Sequence, residues 1–141
     1  MRFMVIITSN GESGGPSDSE GIAAMSRFNE EAIDAGILLA MEGLKSRDMG
    51  ARITFEAPGR TIVTDGPFAE AKEVVAGFWM IQVDSLADAL SWARRAPMGA
   101  GAELEVREVQ EVSDFESNEI TAEHLRREQE FRDATIRPIT R

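Results

Sequence analysis

The chain predicts an α+β fold of the ferredoxin-like, split βαβ kind, with a β-hairpin inserted at its middle. Three observations carry this. Strand-like and helix-like patterns alternate as β-α-β, a hairpin, then β-α-β over residues 1–113. Two runs, 2–8 and 75–83, are apolar on both faces, which suits the first and third core strands of such a sheet, its two central ones. Pro58-Gly59, between two short β-rich runs, marks the hairpin. At 141 residues the chain makes one domain, residues 1–113, with an extension, residues 114–141.

In order, residues 2–8 carry Phe3, Val5 and Ile7 against Met4 and Ile6, a strand covered on both sides. Residues 9–17 form a loop with three glycines and a proline; G-E-S-G-G-P matches neither phosphate-binding glycine pattern and reads as a connection. Ser17-x-x-Glu20 has the spacing of a capping box. Ile22, Met25, Phe28, Ala32 and Ala35 then recur at helical spacing, and Gly36 closes the helix. Residues 37–44 are a second apolar strand interrupted by one carboxylate, Glu42, and 45–50 are a polar turn. In the hairpin, Ala57 facing Arg60 places Phe55 opposite Ile62.

After the 75–83 strand, Ser85 caps a helix with Asp88 at its N3 position and Leu86, Ala89, Leu90 and Ala93 as its apolar stripe. Pro97 ends it. Leu104 and Val106 alternate with Glu103 and Glu105, the pattern of an edge strand. In the extension, Thr121 caps a solvated helix running to about Asp133, laced by Glu123–Arg127 and Glu128–Arg132 pairs. Its apolar stripe, Ile120, Leu125 and Phe131, is thin, so it docks weakly on the domain or on a partner subunit.

Composition narrows the function classes. The formal charge of −10 argues against direct nucleic-acid binding, which needs clustered Lys and Arg. No apolar run reaches the roughly 18 residues of a membrane span, and the opening F-M-V-I-I is too short for a secretion signal, so the expected location is cytoplasmic. The absence of Cys removes thiolate catalysis and Cys-ligated zinc. One His and scattered carboxylates make no metal set, so no metal and no cofactor are expected. With His124 isolated in the extension, no Ser–His–Asp triad forms either.

The polar groups cluster in one stretch, T-D-G-P-F-A-E-A-K-E, followed by G-F-W-M-I-Q-V-D-S-L-A-D-A-L-S-W-A. With R-F-M-V-I-I, A-G-I-L-L-A-M-E-G-L and E-V-R-E-V, it resembles the D-G-P-F branch of the YCII-related family, over about residues 1–113. The resemblance implies a dimeric α/β barrel, in which two ferredoxin-like sheets pack face to face. It also implies a function without an assigned reaction. The wider family includes small enzymes, a dehydrochlorinase of a chlorinated hydroxyquinol among them, in which a His–Asp pair handles protons. Here the single histidine, His124, lies outside the matched region, so that mechanism is not carried over. Some relatives are encoded beside extracytoplasmic-function sigma factors, which implies a regulatory alternative.

Asp65 is the candidate for proton transfer. In a cleft between sheet and loop, desolvation raises a carboxyl toward a useful acid or base value. The competing assignment is a turn cap accepting backbone N–H bonds near Phe68. Glu70 and Lys72 either position a polar ligand or pair on the surface. Glu42 is either a cavity carboxylate or a solvated edge residue. Phe68 is a wall of the core or of the pocket. These residues define two function classes. One is a binder of a small organic molecule beside the D-G-P-F loop, with carboxylate acid/base chemistry as an open question. The other is a non-catalytic module that pairs with a sigma factor. Both assume a homodimer, because two helices cannot cover both apolar faces of the central strands.

Overall fold

The structure is a computed structural model; it describes residues 1–9, 18–66, 74–115, 118 and 121–140. The fold is α+β and ferredoxin-like. Among the described residues, six strands and three helices follow one another as β1 (Arg2–Ser9), α1 (Ser19–Asp34), β2 (Leu38–Gly43), β3 (Ala51–Ala57), β4 (Arg60–Asp65), β5 (Val74–Gln82), α2 (Leu86–Ala93), β6 (Glu103–Glu108) and α3 (Ala122–Thr135). Short 3-10 turns occupy Arg47–Met49 and Val112–Asp114. The main sheet has the order β2-β5-β1-β6, antiparallel at every pairing. The two runs that are apolar on both faces, β1 and β5, are its centre. β6, with its glutamates, is an edge, and so is β2.

Alternation sorts the side chains of this sheet onto two faces. Phe3, Val5, Ile7, Trp79 and Ile81 point to one side and are buried with Leu38 of β2, Ala32 of α1, and Ala89 and Ala93 of α2. Phe28 of α1 meets Trp79 edge-on, with ring centroids 5.4 Å apart, and reaches Trp92 of α2 at 6.4 Å. The indole N–H of Trp79 donates to Asn29 Oδ1 at 2.8 Å, which satisfies the one polar atom this ring takes into the core. Arg95 stacks over Trp92 at 4.5 Å and pairs with Glu31, tying the end of α2 to α1.

The helix ends follow local chemistry, with two corrections, one being that Thr121 precedes α3 without a side-chain cap bond. The N-cap of α1 is Asp18, not Ser17: its Oδ1 accepts from the Gly21 N–H at 2.6 Å. A carboxylate at that place also meets the positive end of the helix dipole, which a serine hydroxyl does not. Ser17 lies outside the described residues, as do the Gly-rich loop 10–17 and Ile120. Gly36 ends α1 with φ +70°, its N–H bonded to the Ile33 carbonyl at 2.8 Å. Ser85 caps α2 by accepting from the Asp88 N–H at 3.1 Å.

The hairpin register also departs from expectation. Ala57 does face Arg60, and Gly59 takes φ +76° as the second central residue of the turn. A shift between Phe55 and Ala57 then places Phe55 opposite Thr61, while Ile62 faces Thr54. One extra residue in one strand moves every later pair by one position. As a result Phe55, Ile53 and Val63 share a face, and Phe55 is 80% exposed. At the hairpin root, Gly66 donates to Gly50 O at 3.0 Å and lies against the Arg47–Met49 turn. A Cβ on Gly66 would fall 2.7 Å from both Arg47 O and Asp48 Cα.

The extension crosses the end of the sheet. Val109 donates to Arg2 O at 2.9 Å; beyond α3, Ile139 donates to Leu38 O at 2.7 Å and its side chain packs against the core. The Glu123–Arg127 and Glu128–Arg132 pairs form. Phe131 is exposed and Leu125 is half-buried.

Candidate functional site

Of the candidate residues, Glu42 lies along the second face of the sheet. Met4 lies opposite Met80, and Ile6 opposite Phe78, in the β1–β5 register. Directly opposed residues share a face, so these four make one apolar block across the two central strands. All four are half-buried, and none belongs to the core cluster under α1 and α2. Polar residues flank the block. On β6, Glu105 faces Ile6 and Arg107 faces Met4. On β2, Ala40 faces Met80 and Glu42 faces Phe78.

Glu42 therefore sits on the edge strand, beside an aromatic ring of the open face, and is exposed. In the single chain its carboxylate is solvated, as an edge position allows. The backbone around it is tight. Gly77, the β5 partner of Gly43, would place a Cβ 2.7 Å from the Glu42 carbonyl oxygen, so only a glycine lets β2 and β5 approach here.

Asp65 is the last residue of β4, opposite Ala51, and is exposed. It stands at the root of the hairpin. Among the described residues no hydrogen bond or ion pair links Asp65 to Glu42. Phe68, Glu70 and Lys72 lie outside the described residues, so the assembly of the loop around Asp65 does too. Trp79 faces the helix-covered core rather than the open face. Among the described residues no group of three His, Asp or Glu side chains has the arrangement of a metal site. No described helix is long and apolar enough to cross a membrane.

One charged contact escaped the sequence analysis. Arg2, at the start of β1, donates from Nε and Nη2 to the two carboxylate oxygens of Glu111, at 2.7 and 2.9 Å. The pair is 109 positions apart in the chain and largely buried on the arginine side. Arg2 is held above its already high ordinary pKa. The Glu111 hydrogen bond is the largest cause; burial opposes it, and the charges of Glu111 and Asp133 add to it. A raised cation contributes stability at every pH below its unfolded value and loses it only as pH rises through the folded one. The arginine therefore stays charged across the whole neutral range. The one available sequence signal is that Arg2 shares the parity of Met4 and Ile6, which places a cation at the end of the open face.

Comparison with known proteins adds two findings. A family model described as YCII-related domain matches residues 1–113. A protein of Rhizobium meliloti (strain 1021), described as uncharacterized, is 38% identical over 77 residues, 55% of this chain. The match spans 61% of that relative's length.

Proposed function

This chain belongs to the YCII-related domain family, and on that premise we propose that it is a homodimer that binds a small organic molecule between sheet and hairpin root. The observation that carries this is the open sheet face. Met4, Ile6, Phe78 and Met80 form an apolar block outside the core, with Glu42 at its border. A second copy laid face to face covers this block and leaves a partly polar cavity at its edge. Pockets that bind small molecules have this make-up: apolar walls and a few polar groups that fix orientation. Asp65 is the proton-transfer group, and Glu42, Phe68, Glu70 and Lys72 are the ligand contacts. Enclosure by the second copy and by the ligand is what would desolvate Asp65, which is exposed in the single chain.

The test is a thermal-shift screen of small aromatic and polar organic compounds on wild type and Asp65→Asn. The expected result is a set of compounds that stabilise the wild type and lose most of that effect in the variant. Equal responses in both proteins remove Asp65 from the mechanism.

A second reading draws on the hairpin. Both strands, β3 and β4, are exposed along their whole length, and Phe55, Ile53 and Val63 offer an apolar face. A two-stranded ribbon on its own is marginally stable, so this face suits a protein partner. In this reading the partner is an extracytoplasmic-function sigma factor, and the module is not catalytic. A pull-down with that sigma factor, using wild type and Phe55→Ser, checks it. Capture by neither protein removes the reading.

A further inference from the structure

Two neighbouring rows of the open face differ in what ends them. Across β2, β5, β1 and β6, one row reads Glu42–Phe78–Ile6–Glu105 and the next reads Ala40–Met80–Met4–Arg107. The first ends in a carboxylate on both sides. The second ends in a small apolar residue and a cation. Within the chain, Arg107 Nε stands 3.8 Å from Glu105 Oε1, the long limit of an ion pair, and both side chains are more than half exposed. Such a contact holds neither group firmly. The following row, Arg2 with Gln82, lies under α3: both share a cleft with Gln129, Arg132 and Asp133. The chain beyond α3 then reaches Leu38 on the opposite edge, so the extension occupies this whole end of the face.

Resting on the dimer proposed above, these two features fix how the second copy is turned. Sheets pack about 10 Å apart, with strands nearly aligned or nearly crossed. Only the aligned modes lay edge strand on edge strand, and a two-fold axis makes every such contact twice. If the axis runs along the strands, β6 covers β2 of the partner. Glu42 then meets Glu105 of the partner subunit at both edges, and both α3 helices enter the same end of the gap. A helix with its side chains is about 10–12 Å across, so the gap holds one and not two stacked. If the axis crosses the strands between the two rows, the rows exchange. β6 then covers β6, and the two α3 helices go to opposite ends. We propose this second arrangement: Glu105 of each copy pairs with Arg107 of the partner subunit, and α3 of each copy closes the Glu42 end of the other. Glu42 faces Ala40 of the partner subunit, whose short side chain leaves room beside the carboxylate. The cavity assigned to Glu42 is therefore incomplete without the partner's extension.

The experiment uses the full chain with Glu105→Arg and with Arg107→Glu, both at exposed positions where a substitution leaves the fold intact. At low ionic strength each variant alone should dimerise about tenfold or more weakly than wild type, because it sets like charges against each other twice. Mixed in equal amounts, the two variants should recover the dimer, since one copy then carries both cations and the other both carboxylates. Native mass spectrometry of the mixture should show the heterodimer well above its random share. The arrangement is overturned by random pairing, by unchanged dimerisation of both variants, or by a tighter dimer in Glu105→Arg. The last is the sign expected if Glu105 lies over Glu42 of the partner subunit. These outcomes leave the dimer standing, whereas a monomeric wild type removes the dimer and its arrangement together.

Discussion

On one face of the sheet, Phe3, Val5, Ile7, Trp79 and Ile81 lie under two helices and are buried. On the other, Met4, Ile6, Phe78 and Met80 alternate with them residue by residue and stop half-buried. The residue types are alike, and among the described residues the chain closes over only one of the two sets. Hydrophobic side chains in the middle of a sheet are a normal way to build a core, but a soluble monomer seldom leaves a contiguous set of them outside it. The difference between the faces therefore divides the work. The helix-covered face holds the subunit together. In the proposed dimer the open face holds subunits to each other and borders the candidate ligand cavity.

Three substitutions bear on that division, and their expected effects fall in order. Phe3→Ala removes a side chain that is 1% exposed, at the centre of the covered face. It should cost about 3–5 kcal/mol of folding stability, read from the urea midpoint. A much smaller loss would mean that the covered face is not the core. Met80→Asp puts a charge opposite Met4 on the open face. The subunit should keep its far-ultraviolet circular dichroism and lose its partner, because an unpaired charge at a dimer centre is expensive to bury. If the variant remains a dimer, the open face is not the interface. Phe55→Ser changes an aromatic that is 80% exposed on the hairpin. It should shift folding stability by less than about 0.5 kcal/mol. A loss of several kcal/mol would place Phe55 inside an interface and move the division from the sheet to the hairpin.

Much of this was readable from the chain, for physical reasons that also explain the rest. Met4 and Ile6 next to Val5 and Ile7 identified a central strand, because only a strand with neighbours on both sides and cover on both faces is apolar throughout. Gly59 located the turn through its positive φ. The pairing of Phe55 was missed by one position, because an irregularity between Phe55 and Ala57 leaves no mark in the hydrophobic pattern. Ser17 and Asp18 are both good caps, and local preference alone does not rank them. Of the candidate site, Glu42 and Asp65 have described positions, while Phe68, Glu70 and Lys72 do not. The Arg2–Glu111 pair had no local signal. The two side chains meet only where the chain leaves β6 at the end of the sheet, and in sequence each is one charge among many on an acidic chain.

The central claim is that the open face is covered by a second copy. Light scattering on a size-exclusion column, with the full chain at low micromolar concentration, tests it most directly. A dimer closed through the open face runs as a single folded species of twice the 15.5 kDa chain mass. A well-folded species at 15.5 kDa would contradict it, and with it the cavity assigned to Asp65 and Glu42.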